Sequence, residues 1–185
     1  MTDTVRILGI SGSLRKGSLN TALLRAAIDL RRAGIEIEVA NIETIPPYNE
    51  DVRALGFPEP VAKFRGQIAA ADALLIATPE YNYSVPGVLK NAIDWASRPP
   101  NVPFGGKALA IMGASMSLGG TMRAQYHLRQ IAVFLDLHPI NKPEVFVRSA
   151  QNAFDAEGRL TDETTRKLVG QLLEALVTWT KKLKA

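Results

Sequence analysis

One loop near the start of the chain carries the residue types that bind a phosphate group. We call residues 12–20 the first loop, and its polar and glycine positions are Gly12, Ser13, Arg15, Lys16, Gly17, Ser18 and Asn20. Glycines let the backbone turn tightly and expose N–H groups, whereas serine, asparagine and arginine side chains donate hydrogen bonds to an anion. A helix predicted to begin near Leu19 would point the positive end of its dipole at the same place. The first loop therefore predicts a site for the phosphate of a ligand.

The spacing of the first loop excludes two common nucleotide-binding motifs. A P-loop has lysine directly after its second conserved glycine, whereas Gly17 is followed by Ser18. The dinucleotide-binding pattern G-x-G-x-x-G is absent as well. A simpler interpretation stays open, in which the first loop is an ordinary turn and Ser18 only caps the helix.

Two further loops have an unusual composition. Residues 79–87, the second loop, combine two prolines, two tyrosines and an asparagine, which stiffen a loop and can line the edge of a flat polar ring. Residues 113–120, the third loop, are rich in glycine and serine, which let a ligand approach the backbone closely. Taken alone, each of these loops is equally well explained as an ordinary surface connection.

Apolar runs and helical spacing alternate along the chain. Short apolar runs predict strands at residues 5–10, 36–40, 73–77, 107–112 and 144–147. Apolar residues at helical spacing predict helices at residues 19–32, 61–71 and 86–95, another that opens at 119–120, and a last one near the end of the chain. Thr161 is predicted to cap the last helix, with Asp162 and Glu163 in its first turn.

This alternation indicates an α/β fold built from βαβ units. Five strands and the absence of an internal repeat favour a flavodoxin-like, doubly wound, five-stranded parallel sheet of order 2-1-3-4-5, in a single domain over residues 1–185. In such a sheet, ligands bind beyond the carboxyl ends of the strands, where the strand order reverses. Because strands 1, 3 and 4 are neighbours, we expect the first, second and third loops to meet in one site.

Composition excludes several classes of function. The chain has no cysteine and only two histidines, so we expect no disulfide, thiol chemistry, iron–sulfur cluster or metal site. The net charge is +4, but the basic residues are scattered, which favours no nucleic-acid partner. No apolar run approaches the roughly 20 residues that cross a bilayer, so we expect no membrane insertion. The start of the chain does not resemble a signal peptide, which predicts a cytoplasmic location.

Three segments of the chain form a recognisable set. They are the first loop, the run Thr-Pro-Glu-Tyr-Asn-Tyr-Ser-Val-Pro-Gly at residues 78–87, and the run Leu-Lys-Asn-Ala-Ile-Asp-Trp at residues 89–95. Together they resemble the NAD(P)H-dependent FMN reductase family, in the branch of bacterial chromate and quinone reductases. The likeness continues at residues 125–130 and 141–144, so it extends through nearly the whole chain.

The resemblance implies bound FMN, with NADH or NADPH as the electron donor. It implies that the FMN phosphate is held by side chains of the first loop and by the backbone between them: Ser13, Leu14, Arg15, Lys16, Gly17, Ser18, Leu19 and Asn20. It further implies that the ribityl chain and the isoalloxazine ring are lined by Pro79, Glu80, Tyr81 and Asn82, with Ser115 contributing from the third loop. Because family members are usually homodimers or homotetramers, a homo-oligomer is expected.

The implied chemistry belongs to the flavin, which takes a hydride from NAD(P)H and passes electrons to a second substrate in a ping-pong cycle. No catalytic side chain is expected, and Glu80 is interpreted as a structural or interface residue rather than as a general acid. Arg98 is a candidate for binding an anionic substrate in its own subunit or in a partner, although a solvated arginine explains it equally well. Quinones, chromate, ferric complexes, azo dyes and free flavin all remain possible acceptors.

Two other functions stay open on the sequence. A flavodoxin-like electron carrier would bind FMN without oxidising NAD(P)H, but such carriers usually have a threonine-rich phosphate loop and an acidic surface, whereas this chain has a pI of about 9.5. A flavin-binding interaction module would hold FMN and show no turnover with quinones or ferricyanide.

Overall fold

The strands form one parallel sheet with helices on both faces. A computed structural model describes residues 4–185. The strands are Val5–Ser11 (β1), Ile35–Ala40 (β2), Ala73–Ala77 (β3), Ala108–Ala114 (β4), His138–Pro139 (β5) and Val145–Val147 (β6). The helices are Leu19–Leu30 (α1), Glu50–Ala54 (α2), Glu59–Ala70 (α3), Gly87–Ala96 (α4), Met122–Phe134 (α5) and Glu163–Lys184 (α6), with a 3₁₀ turn at Ala150–Asn152. The strand order β2-β1-β3-β4-β5 confirms the predicted flavodoxin-like topology.

The fifth position of the sheet is shared by two short strands. His138 and Pro139 of β5 pair with the beginning of β4, and β6 pairs with its end, where Val147 lies opposite Ala114. Both strands run parallel to β4. Pro139 and Pro143 have no N–H group to donate to a ladder, which is tolerated at a sheet edge. The strand predicted at residues 144–147 corresponds to β6 alone.

The side chains of the central strands alternate between two apolar cores. One core packs against α1 and α6 and includes Leu75, while the other packs against α3, α4 and α5 and includes Leu74. Because successive side chains of a strand point to opposite faces, β3 must be apolar at every position to serve both cores. All five of its residues are buried. Buried on both faces, the central strands form a rigid base for the loops at their ends.

One helix was not predicted. Glu50–Ala54 (α2) is five residues long and buries none of its side chains, so it leaves no apolar periodicity in the sequence. Its start is marked only by Asn49, whose side chain accepts a hydrogen bond from the Asp51 N–H at 2.8 Å.

The predicted cap of the last helix is wrong by one residue. Asp162 caps α6, because its carboxylate accepts a hydrogen bond from the Thr165 N–H at 2.7 Å. The hydrogen bonds from Thr165 hold the pKa of Asp162 below its usual value. The Thr161 hydroxyl instead donates to the Ala153 carbonyl at 3.3 Å. Threonine and aspartate are both favourable caps, so the sequence alone does not choose between neighbours.

Over residues 4–185, no helix combines the length and apolarity needed to cross a bilayer. The same part of the chain brings together no group of three or more histidine, aspartate and glutamate side chains that could hold a metal ion.

Candidate functional site

The carboxyl ends of the three central strands are level with one another. Ser11 of β1 pairs with Ala77 of β3, and Ala77 pairs with Met112 of β4. The Gly12 N–H donates to the Ala77 carbonyl at 2.8 Å, and the Thr78 N–H donates to the Met112 carbonyl at 3.0 Å. These bonds extend the ladder one step past the strands. The first, second and third loops therefore leave the sheet side by side, as predicted.

The first loop presents backbone donors that the protein does not use. Ser18 is the N-cap of α1, and its hydroxyl accepts a hydrogen bond from the Thr21 N–H at 3.2 Å. Within residues 4–185, the backbone N–H groups of Leu14, Lys16, Gly17, Leu19 and Asn20 donate no hydrogen bond. Ser18 therefore caps α1, as the simpler interpretation of the first loop holds. The unpaired backbone N–H groups lie around this cap.

Arg15 is the charged group of the first loop. Its side chain is exposed, and it forms no ion pair with any carboxylate of residues 4–185. Gly17 lies next to open space, because a Cβ atom built on it would meet no atom within 4 Å. The loop therefore combines an unpaired cation, a helix N-terminus and room for a ligand in front of its backbone.

Asn20 makes a contact that was not predicted. Its Nδ2 donates to the Ala114 carbonyl at 2.9 Å, and its Oδ1 accepts from the Ala114 N–H at 2.8 Å. Asn20 is 4% exposed, so both bonds are shielded from water. The side chain thus joins the start of α1 to the end of β4.

The second loop contains a tight and strained turn. The N–H groups of Tyr81 and Ser84 each donate to the other's carbonyl, at 3.1 and 3.0 Å. Asn82 and Tyr83 between them have φ values of 49° and 66°, the left-handed pair that two-residue hairpin turns require. Asparagine tolerates this conformation, whereas tyrosine rarely adopts it. The Arg123 guanidinium lies 3.8 Å from the centre of the Tyr83 ring and stabilises the turn by a cation–π contact.

Glu80 holds the second loop against the start of α5. One carboxylate oxygen accepts from the Arg123 and Ala124 N–H groups at 2.9 and 3.2 Å, and the other accepts from the Arg123 guanidinium at 2.9 Å. Thr121, at the N-cap position of α5, makes no side-chain capping bond. Glu80 therefore caps this helix from the second loop. Both of its carboxylate oxygens accept hydrogen bonds from α5, which agrees with the interpretation of Glu80 as a structural residue rather than a general acid.

The third loop is folded on itself and against its neighbours. The Ser115 hydroxyl donates to Ser117 Oγ at 3.1 Å and accepts from the Ser117 N–H at 3.1 Å. At the base of the loop, a Cβ atom on Gly113 would lie 2.1 Å from Thr121 Oγ1 and 2.3 Å from the Thr78 carbonyl oxygen. Only glycine at position 113 lets the Thr78 carbonyl and the Thr121 side chain lie this close to the end of β4.

Comparison with known proteins decides what kind of site this is. A family model described as NADPH-dependent FMN reductase matches residues 5–152. An NAD(P)H-dependent FMN reductase of Pseudomonas aeruginosa is 64% identical over 184 residues, covering 100% of both chains. The chain belongs to the NADPH-dependent FMN reductase family.

Two further matches agree with this membership. An NAD(P)H:quinone oxidoreductase of Solanum tuberosum is 50% identical over 186 residues, covering 97% of this chain and 95% of that protein. The solved structure of FerB, a flavoenzyme NAD(P)H:(acceptor) oxidoreductase from Paracoccus denitrificans, superimposes with a TM-score of 0.87 at 36% identity, covering 96% of this chain and 98% of that one. For this FMN reductase, FMN is the flavin and NAD(P)H is the electron donor.

The residues of the reductase at the carboxyl ends of β1, β3 and β4 fit FMN. The unpaired N–H groups and Arg15 suit a dianionic phosphate, which needs several donors and a cation. The second loop offers exposed Tyr81 and Asn82 beside buried Pro79, a combination of stiff backbone and flat polar groups that suits a ring. The Ser115 hydroxyl, in the third loop, can still accept a hydrogen bond from a ligand.

Arg98 lies apart from this cluster. It follows the C-terminus of α4, and a ten-residue helix separates it from the second loop by about 15 Å. Its Nε donates to the Asp94 carbonyl at 3.1 Å, and its Nη2 donates to Ser97 Oγ at 2.9 Å. The guanidinium stabilises the end of α4 within its own subunit. Contact with an anionic substrate in a partner subunit stays a prediction.

Two residues of α5 that support the second loop were missed. They are Arg123, described above, and His127, whose Nδ1 lies 2.9 Å from Ser84 Oγ. The two are four residues apart on one side of α5, a spacing that in sequence is typical of a solvated polar face. Only the three-dimensional contact with Glu80 and Ser84 distinguishes them from ordinary surface residues.

Proposed function

We propose that this reductase is an FMN-dependent NAD(P)H:acceptor oxidoreductase with a ping-pong cycle and quinones as its main acceptors, and with chromate, ferric complexes and free flavin as further acceptors. The observation that carries the proposal is the cluster of unpaired donors and Arg15, which lies beside the second and third loops at the carboxyl ends of β1, β3 and β4. The quinone oxidoreductase name of the Solanum tuberosum relative supports the acceptor class.

When bound, FMN supplies the hydride and electron transfer, and the chain's residues hold it. Arg15 and the backbone of the first loop bind the phosphate. Tyr81 and Asn82 line the ring, and the cap that Glu80 places on α5 keeps their turn in position. Backbone N–H groups of the second and third loops are the donors we assign to the negative charge that develops on the reduced ring. No side chain is assigned as an acid or a base.

Anaerobic mixing with NADH and NADPH tests this function. We expect the purified protein to be yellow, to lose its flavin absorbance within one turnover, and to regain it when a quinone or ferricyanide is added. Bound FMN that neither nicotinamide reduces would instead indicate an electron carrier. Reduction of FMN without turnover by any acceptor would indicate an interaction module. Parallel lines in initial-rate plots would support the ping-pong cycle.

We also propose that the reductase is a homodimer or a homotetramer. Three large apolar or aromatic side chains are exposed on α5: Tyr126 is 50% exposed, Val133 81% and Phe134 80%. Large apolar side chains exposed along one helix are candidates for an interaction surface. Sedimentation is expected to show an oligomer at micromolar concentration, and Phe134→Asp is expected to shift it towards smaller species. A wild-type monomer would contradict this proposal. A cytoplasmic location and a single domain over residues 1–185 stay predictions.

A further inference from the structure

We propose that Asn20 is a positioning residue, whose side-chain amide fixes the distance between the first and third loops and does not bind the FMN phosphate. The inference deepens the proposed function and rests on it. It starts from the two hydrogen bonds that join Asn20 to the Ala114 N–H and carbonyl at 2.8 and 2.9 Å. The partners are 94 residues apart in the chain, so the contact is purely tertiary.

The Asn20 amide takes the place of a missing strand. The Met112 carbonyl of β4 accepts from the Thr78 N–H, on the β3 side of the strand. Ala114, two residues later, directs its polar groups to that same side, because backbone direction alternates along a strand. There β3 has already ended at Ala77. Because no strand lies beside Ala114 on this side, its N–H and carbonyl groups would have no hydrogen-bond partner without Asn20.

This placement gives Asn20 control over two parts of the site. Asn20 is the second residue of α1, so it moves with the N-terminus that carries the phosphate-binding donors. Ala114 is the last residue of β4, and Ser115 follows it in the third loop. A flavin that spans both loops therefore needs them at the separation that the Asn20 amide sets. Since Ala114 is 3% exposed, water does not readily replace the amide.

Removing a phosphate ligand and removing a positioning residue have different effects on the affinities for FMN and riboflavin. Riboflavin lacks the phosphate, so losing a phosphate contact weakens FMN and leaves riboflavin affinity unchanged. Moving the third loop relative to the first weakens both flavins. We expect Asn20→Ala to lower the affinity for FMN and for riboflavin by the same factor, about tenfold, the scale of one hydrogen bond lost between the flavin and the displaced loop.

The test uses full-length, flavin-free protein and two measurements. Hydrogen exchange by NMR follows the Ala114 amide, and fluorescence titration gives the dissociation constants of FMN and riboflavin. In Asn20→Ala we expect the Ala114 amide to exchange at least tenfold faster. Asn20→Asp keeps the acceptor for this amide but sets a carboxylate oxygen against the Ala114 carbonyl, so it is expected to retain only part of the protection, which provides a second measurement should the alanine variant fold poorly. Asn141→Ala, at an exposed asparagine, is the matched control and should change neither quantity.

The outcomes separate this inference from the proposed function. If Asn20→Ala weakens FMN alone, while riboflavin affinity and Ala114 protection stay at wild-type values, the Asn20 side chain is a phosphate ligand and the inference is overturned. If the wild-type protein binds neither flavin, the proposed function fails, and the positioning role in flavin binding fails with it. In that case the Ala114 exchange rates still show whether the amide contact exists.

Discussion

Replacing Arg15 with alanine is expected to weaken FMN binding by about 10- to 100-fold, because a hydrogen bond to a charged group contributes about 1.5–3 kcal/mol. Arg15 has no ion-pair partner among residues 4–185, so its removal leaves no carboxylate unpaired and should not unfold the chain. The purified variant should therefore be folded and largely colourless. Flavin content after gel filtration and a titration with added FMN measure the effect.

Arg25→Ala is the matched control for this prediction. Arg25 is an exposed arginine of the same helix, α1, placed beyond its first turn. Its removal makes the same change in net charge, so it corrects for long-range electrostatics. The two variants should differ in FMN affinity and agree in riboflavin affinity. Full retention of FMN by Arg15→Ala would contradict the assignment of the first loop to the phosphate.

The parts of the fold that follow from local patterns could be predicted. A continuous apolar run such as residues 73–77 indicates a central strand, since both of its faces must be buried. The order of five such strands then places three loops at one edge, because parallel strands end at the same side of a sheet. The level pairing of Ser11, Ala77 and Met112 confirms this step.

The contacts that complete the site could not be predicted. Glu80 caps a helix that begins more than 40 residues later, and Asn20 pairs with a residue 94 positions away. Neither side chain differs in type or local spacing from a surface glutamate or a turn asparagine. Their roles depend on where β3 ends and on where α5 begins, to within one residue. Helix and strand ends are the features that sequence patterns define least well.

Gly113→Ala is expected to have the largest effect on stability. The added Cβ atom would lie 2.1 Å from Thr121 Oγ1 and 2.3 Å from the Thr78 carbonyl oxygen. Excess volume in a packed interior costs about 1–3 kcal/mol, and a clash with backbone favours the upper end of this range. For a chain of this length we expect the melting temperature to fall by roughly 6–12 °C. Circular dichroism of the flavin-free protein measures it without a contribution from ligand binding.

Two further variants test the cause of this loss. Gly17→Ala adds the same methyl group where no atom lies within 4 Å, so its melting temperature should stay near the wild-type value. Thr121→Ala in the Gly113→Ala background removes the contact with Oγ1 and should recover only part of the stability, because the Thr78 carbonyl oxygen at 2.3 Å and the Cβ atom of residue 121 at 2.9 Å remain. Since Thr78 directly precedes the second loop and Thr121 directly follows the third, the clash should also separate these loops and weaken flavin binding. Wild-type stability in Gly113→Ala would mean that the two loops do not pass as closely over β4 as their packing indicates.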